Sequence, residues 1–280
     1  MKIKKQRVDI LLVDQGLAET REKAKRAIMA GLVFHNETRL DKPGEKIPED
    51  AVLTIKGKVM PYVSRGGLKL EKALQEFNID VKDKCMIDVG SSTGGFTDCA
   101  LQNGARQSYA VDVGYNQLAW KLRQDPRVIV MERTNFRYLT PADLTEGLPD
   151  FASIDVSFIS LKIILPVLKT LLKTDSDVLA LVKPQFEAGR DQVGKKGIVR
   201  DQKVHLEVVR KISDFAVGQG YNVLAASFSP ITGGDGNIEF LLHLRTTEAE
   251  QGMIADHISI ENLVSKAHEN FKKVKTEDSQ

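Results

Sequence analysis

The chain is poor in cysteine, in aromatic residues and in long apolar runs. Cys85 and Cys99 are the two cysteines among 280 residues. They fall on what read as a strand and its adjoining helix, so no disulfide framework is expected and a reducing, cytoplasmic compartment is indicated. The five histidines, at 35, 205, 243, 257 and 268, show no metal-ligand spacing with one another or with the cysteines, so no metal site is expected. No apolar stretch approaches the roughly 18 residues of a membrane span. The basic start Met1-Lys2-Ile3-Lys4-Lys5 leads into a pattern broken by Asp9 and Asp14, too short for the apolar region of a signal peptide. A membrane partner is therefore not expected. Net charge is also small, at +2.

What is present is ordinary globular material, 42% hydrophobic and 28% charged, with a length that suggests about two domains. The most informative stretch is Asp88-Val89-Gly90-Ser91-Ser92-Thr93-Gly94-Gly95-Phe96-Thr97, a glycine-rich turn after the apolar run Cys85-Met86-Ile87. Such a turn at a strand's carboxyl end forms a ligand crevice. A second acid, Asp112, closes the apolar run Tyr109-Ala110-Val111. Together the two strand ends suggest a nucleotide-like ligand. The spacing Gly-x-x-x-Gly-Gly is not the dinucleotide fingerprint, whose second glycine clears room for a pyrophosphate. S-adenosylmethionine, with ribose and adenine but no phosphate, fits better.

The small net charge hides an asymmetry. Residues 1–60 hold thirteen Lys/Arg against nine Asp/Glu, a surplus of four, so residues 61–280 sum to minus two. Arg21, Lys23, Lys25 and Arg26 lie on a segment whose apolar positions Ala24, Ala27, Ile28 and Leu32 recur at helical spacing. That face is either a phosphate-contacting surface or a merely solvated one. Beyond it the pattern changes to alternating strands and helices, which implies a sheet covered on both faces. Strands are predicted at 85–89, 108–113, 127–132, 151–155, 178–182, 222–228 and 238–245, and helices at 95–103, 116–124, 161–172 and 203–219. The last two strands are joined without a helix, so the expected fold is α/β: a Rossmann-like methyltransferase sheet of seven strands, the last antiparallel, beside a small N-terminal α+β domain. The expected division is 1–58, a linker at 59–63, and 64–280, with a terminal helix that frays from Thr276.

Four polar residues fall at the mouths of these elements: Lys69, Asp155, Lys183 and Glu239. A ribose hydroxyl must lose its proton as it attacks a methyl carbon, and a partly desolvated lysine beside another cation can accept it near neutral pH. Lys183 is the candidate base. Lys69 supplies the neighbouring charge and can hold the reacting oxygen, while Asp155 and Glu239 balance and orient the two ammonium groups. Singly, each has a plainer explanation: a surface lysine before Pro184, or a satisfied strand-end carboxylate.

Two resemblances go further. Arg7-Val8-Asp9-Ile10-Leu11-Leu12-Val13-Asp14 through Ala24, then Ile28 to Val33 and Asp41-Lys42-Pro43-Gly44, resemble the S4-like RNA-binding domain. The resemblance implies a basic helix face laid on structured RNA. One departure is Asn36-Glu37 where the family has Asn-Gly, although Asn36 can still take the left-handed conformation. Lys69, the glycine loop, Asp155, Lys183 in Val182-Lys183-Pro184-Gln185-Phe186-Glu187, and Glu239 resemble in chain order the FtsJ-like ribose methyltransferases. Ser64-Arg65-Gly66-Gly67-Leu68-Lys69-Leu70, Asp112 through Trp120 and Glu132-Arg133-Thr134-Asn135 are similar to the TlyA family. Its members, often labelled hemolysin A, methylate cytidine 2′-hydroxyls of 16S and/or 23S ribosomal RNA.

That resemblance implies cofactor contacts at Gly90, Ser91, Gly94, Gly95 and Phe96, with Asp112 on the ribose hydroxyls and Asn135 near the adenine. Phe96 has an alternative role, packing the first helix on the sheet, and Trp120 is expected to pack in the core or at the rim. RNA contacts are expected at Arg7, Arg21, Lys23, Lys25 and Arg26 in the first domain and at Arg65, Arg190, Lys195 and Lys196 in the second. The last three lie in the glycine-containing loop 186–200, which suits a cationic flap over an RNA backbone or else a solvated connection. Ribosomal RNA or ribosomal subunits are the expected partner. Two other readings compete with a methyltransferase: a non-catalytic ribosome-assembly factor that kept the fold, and the membrane-lytic protein suggested by the hemolysin label.

Overall fold

The computed structural model describes residues 4–57 and 60–277, with side chains as far as Lys272. Lys58 and Val59, at the expected junction, and residues 278–280 of the expected frayed end lie outside them. Contacts divide the chain into two compact units, residues 1–61 and 62–280.

The first unit begins with β1 (Lys5–Arg7), α1 (Val8–Asp14) and α2 (Arg21–Met29), followed by β2 (Val33–His35), β3 (Thr38–Arg39), β4 (Lys46–Pro48) and β5 (Leu53–Ile55). Strands β1 and β4 pair antiparallel, and β2 is flanked by β3 and β5. Thr20 caps α2 by accepting from the Lys23 amide at 3.2 Å, which satisfies one of the helix's first free donors. Val8, Leu11 and Leu12 of α1 and Ala24, Ala27 and Ile28 of α2 close the core over Val33 and Leu53. Asn36 sits in the β2–β3 turn with φ 52°, the left-handed conformation expected of it.

The second unit runs α3 (Gly66–Glu76), β6 (Cys85–Val89), α4 (Gly95–Gln102), β7 (Gln107–Val111), α5 (Trp120–Arg123), β8 (Val128–Met131), β9 (Phe151–Ile154) and α6 (Leu161–Leu171). It continues with β10 (Asp177–Val182), α7 (Pro184–Glu187), α8 (Gln202–Gly218), β11 (Tyr221–Phe228), β12 (Phe240–Thr246) and α9 (Ile260–Glu277). The seven strands lie in the order β8-β7-β6-β9-β10-β12-β11. Five are successively parallel, and β12 runs antiparallel to both β10 and β11. The expected sheet is therefore present. Its strands alternate between two buried faces, with Ile87 and Val89 in the core under α6 and α8, and Met86 in the core under α3 and α4. Strands buried on both sides read as continuous apolar runs, which is why they were visible in the sequence.

Three local expectations need correction. Tyr62 and Val63, assigned to the linker, are packed into the second unit: Tyr62 is buried and donates to Glu71 at 2.7 Å, and the Val63 amide donates to Asp98 at 2.9 Å. The predicted helix over 116–124 shrinks to Trp120–Arg123. Asn116 is left-handed with φ 57°, the Gln117 amide is held by Glu132 at 3.1 Å, and the Ala119 amide by Thr93 O at 3.0 Å. Those bonds take the donors a preceding helical turn would use. The terminal helix, finally, runs through Thr276 to Glu277.

Candidate active site

In this sheet the neighbours of β6 are β7 on one side and β9 on the other, so successive connections leave β6 in opposite directions. A crevice opens at the carboxyl ends where that happens. Gly90 follows β6 and Asp155 follows β9, and the two ends are joined by the Asp155 amide donating to Val89 O at 3.0 Å. Gly90 has φ +84°, and a Cβ there would lie 2.5 Å from the Asp155 carbonyl oxygen. Only glycine tolerates both conditions.

The glycine turn consumes its own donors. The amides of Gly90 and Ser91 both donate to Val111 O, at 2.9 and 3.0 Å. At the start of α4, Asp88 accepts from the Thr97 amide at 3.1 Å and from its hydroxyl at 2.8 Å, and from Ser153 at 2.8 Å. Helix N-termini that bind phosphate leave such donors open. Here a buried carboxylate already takes the place a phosphate would use, so the crevice suits a nucleoside that carries none. Burial drives the Asp88 carboxyl up to about 6 despite the hydroxyl and amide donors.

Beside the turn, a cavity of about 880 Å³ is lined by Gly90, Asp112, Asn135, Phe136, Val156 and Phe158, within the size range of small-molecule sites. Asp112 is held rigidly: Oδ2 accepts from the Ser92 amide and Oδ1 from the Gly114 amide, each at 2.7 Å. Each oxygen keeps a lone pair for a sugar hydroxyl. Asn135 lies in the same cavity, but its Oδ1 already accepts from the amide and Nε of Arg137, both at 3.2 Å. Its amide nitrogen is the group left to meet a base. Among the expected cofactor residues, one faces elsewhere. Gly94, with φ +94°, turns toward Leu118 and Leu122, where a Cβ would clash at 2.7 and 2.3 Å. Phe96 is buried in the core beneath α3, although its edge reaches the adjoining pocket.

That adjoining pocket, about 340 Å³, is lined by Gly90, Ser91, Gly95 and all four expected catalytic residues. Lys69 comes from the first turns of α3, Asp155 follows β9, Lys183 follows β10, and Glu239 precedes β12. Because β12 is antiparallel, its beginning lies at the same sheet edge as the ends of the others. The four form an alternating chain of charges. Lys183 Nζ is 2.5 Å from Asp155 Oδ1, Asp155 Oδ2 is 3.5 Å from Lys69 Nζ, and Lys69 Nζ is 2.7 Å from Glu239 Oε2. Lys69 was expected to supply a neighbouring positive charge, balanced by Asp155 and Glu239. Burial does lower its pKa, but Asp155 and Glu239 outweigh that and leave it above the ordinary lysine value.

Sequence reasoning missed Ser157, whose hydroxyl accepts from Lys183 Nζ at 3.1 Å, and Glu187. The Glu187 carboxylate is buried and receives the Ser160 hydroxyl at 2.6 Å and the Leu161 amide at 2.7 Å. It ties the end of α7 to the loop that carries Asp155 and Ser157. Its place four residues after Lys183 in the same motif was the available signal. Trp120, expected to pack, is 71% exposed, because α5 turns Leu122 inward against Gly94.

The cationic residues are placed as follows. Arg7 and Arg21 both pair with the buried Asp9, at 2.9 Å each. Lys23 pairs with Glu19 at 2.5 Å and Lys25 with Glu22 at 2.7 Å, and Arg26 is exposed. In the second unit Arg65, Arg190, Lys195 and Lys196 are all exposed, and Arg65 lines the pocket of the four charged residues. The loop that carries the last three is tied down at its far end, where Asn237 accepts from the Val199 amide at 3.0 Å and donates to Gly197 O at 2.9 Å. Among the described residues no group of three or more His, Cys, Asp or Glu side chains could hold a metal ion, and no helix is long and apolar enough to cross a membrane.

The profile of FtsJ-like methyltransferases matches residues 62–246. The chain belongs to that family. An S4 domain matches residues 6–53, ahead of the FtsJ-like part. Among relatives, YqxC of Bacillus subtilis (strain 168), named as a candidate rRNA methyltransferase, is 68% identical over 99% of each chain. The 16S/23S rRNA (cytidine-2′-O)-methyltransferase TlyA of Mycobacterium tuberculosis is 43% identical, over 86% of this chain and 90% of that one. A solved structure of a candidate hemolysin from Streptococcus thermophilus is 57% identical, covers 98% of this chain and 99% of its own, and superposes with a TM-score of 0.77. The FtsJ-like unit is the one that carries the alternating charged chain and the glycine crevice.

Proposed function

We propose that the protein is an S-adenosylmethionine-dependent 2′-O-ribose methyltransferase acting in the cytoplasm on cytidines of ribosomal RNA. The observation that carries this reading is the unbroken Lys183–Asp155–Lys69–Glu239 chain, built from four separate elements and opening onto the glycine crevice. The relatives' reaction on cytidine 2′-hydroxyls agrees with it, and the S4 domain supplies an RNA-binding module.

S-adenosylmethionine, when bound, supplies a methyl group on a positively charged sulfur. Asp112 holds the ribose hydroxyls of that cofactor, its two oxygens already oriented by the Ser92 and Gly114 amides. Asn135 meets the base through its amide nitrogen, and Gly90, Ser91 and Gly95 let the chain approach closely. On the substrate side, Lys69 holds the 2′-oxygen of the RNA. Lys183 takes the hydroxyl proton as the oxygen gains the methyl, whose bond to sulfur breaks to leave neutral S-adenosylhomocysteine. Asp155 stands between the two amines and fixes both, and Glu239 keeps Lys69 charged. Ser157 directs the Lys183 amine. Positioning of this kind supplies most of the acceleration, with about 10²–10⁴-fold from the proton transfer itself.

The test is methyl transfer from labelled S-adenosylmethionine to ribosomal subunits from cells that lack the protein, followed by mapping of 2′-O-methyl positions. Label appearing on cytidine riboses is expected. Absence of label on both subunits, or label only on bases, would sink the assignment.

A further inference from the structure

A second cavity, about 680 Å³, opens beside the pocket of the four charged residues and shares Arg65, Ile231 and Thr232 with it. Its walls come from the end of the 186–200 loop, the segment before β12, α8 and α9. Nothing in the proposed reaction uses it. Its chemistry divides into two parts. At the rim stand the guanidiniums of Arg65 and Arg200, both exposed. Neither has a carboxylate partner among the described residues, whereas Arg7, Arg21, Arg123, Arg127, Arg210 and Arg245 are all ion-paired. Deeper in, Ile198, Ile231 and Phe271 form an apolar wall around a pair of histidines.

His205 is fully buried, and its Nδ1 lies 2.8 Å from His268 Nε2. Burial pulls His205 down to about 4 and lowers His268 as well, so at neutral pH both rings are uncharged. A neutral imidazole offers one donor and one acceptor. The shared hydrogen bond uses one nitrogen of each ring, and the buried Nε2 of His205 has no hydrogen-bond partner among the described residues. The cavity thus presents three cations, Arg65, Arg200 and Lys272, against the single carboxylate of Asp235, and a neutral hydrogen-bonding edge within an apolar wall. That combination suits a phosphate joined to a base, which is how single-stranded RNA is read: splayed bases in pockets, backbone on arginine.

We propose that this cavity takes the RNA nucleotide adjoining the methylated one, its base against Ile231, Phe271 and the His205–His268 pair and its phosphate between Arg65 and Arg200. The inference rests on the ribose methyltransferase reading, and it adds a specificity site to that reaction. Continuity argues for RNA rather than an unrelated small molecule: Arg65, Ile231 and Thr232 belong to both pockets, so a strand whose ribose lies at Lys69 and Glu239 has a direct way into this cavity.

The experiment measures methyl transfer to ribosomal subunits from cells lacking the protein, with wild type, Arg200→Ala and His268→Ala. Both variants should raise the KM for subunits about tenfold, as expected for loss of one base or phosphate contact, with kcat within twofold and unchanged binding of S-adenosylhomocysteine. Arg200 is exposed, so its variant keeps the test informative even if His268→Ala folds poorly. In parallel, subunits containing 4-thiouridine should crosslink to peptides spanning 198–200 or 265–272. Unchanged KM in Arg200→Ala together with no crosslink at either peptide overturns the nucleotide site while leaving the methyltransferase intact. A wild-type protein that transfers no methyl overturns the underlying reading instead, and with it this one.

Discussion

Each unit contains an aspartate that bridges two cations, and the two bridges differ in the one respect that matters. In the first unit, buried Asp9 binds Arg7 and Arg21. In the second, Asp155 binds Lys69 and Lys183. Guanidinium keeps its proton at any pH a protein survives, whereas a lysine amine can give its proton up. The Asp9 bridge is therefore a fixed clasp between β1 and the helices, and the Asp155 bridge is a place where a proton can move. Exposure differs in the same sense: the arginine side chains are 40% and 53% exposed, the lysines 10% or less.

Substituting one cation for the other breaks this comparison most directly. Lys183→Ala should lower methyl transfer about 10³-fold, and Lys183→Arg should lower it nearly as much, because a guanidinium keeps its charge and does not give up a proton to become the base. S-adenosylhomocysteine affinity, read by calorimetry, should stay within twofold in both. Arg21→Lys, the reverse exchange at Asp9, should leave transfer unchanged. Substantial turnover by Lys183→Arg would erase the distinction between the bridges.

Acid response sharpens the comparison. The carboxyl of Asp88, behind the glycine turn, stands at about 6 against an ordinary value of 3.8. A raised carboxyl contributes stability that is complete below about pH 4 and is lost as pH climbs through 6. Asp88→Asn should therefore gain on wild type by about 3 kcal/mol between pH 4 and 8 in urea unfolding. Asp9 has the opposite sign. Its carboxyl is held down to about 2, chiefly by the Arg7 hydrogen bond. Its contribution is complete above about pH 4 and is lost as pH falls through 2. With its partners half exposed, screening leaves about 1 kcal/mol to be lost in Asp9→Asn at pH 7. The smallest effect is expected from Lys25→Glu with Arg26→Glu. Affinity for ribosomal subunits should fall several-fold with a shallower salt dependence, and kcat should hold.

Much of the second unit was legible because its strands are buried on both faces and so appear as unbroken apolar runs. The four charged residues were legible because strand ends and an antiparallel return must share one edge of the sheet. What escaped is contact that arises only after folding. Nothing local marks Ser157 as the partner of Lys183, and the place of Glu187 in the Lys183 motif does not reveal that it anchors Ser160. The shortened α5 escaped for the same reason, since Glu132 captures the Gln117 amide from fifteen residues away. Phe96 and Gly94 resemble ligand residues in the motif, yet the first is drawn into the core and the second makes room for Leu118 and Leu122. At Asp9, spacing revealed a basic face but not that its Arg21 was already committed, together with Arg7 of β1.

Glu239 arrives on the return strand, 170 positions after Lys69 in a chain of 280. During synthesis the sheet can assemble through β10 and present three of the four groups while the last is still to be translated. A nascent or truncated chain that stops short of β12 therefore carries a buried lysine facing an incomplete set of counter-charges. Methylating competence would then switch on abruptly, once β12 is in place, rather than growing with the length of the polypeptide.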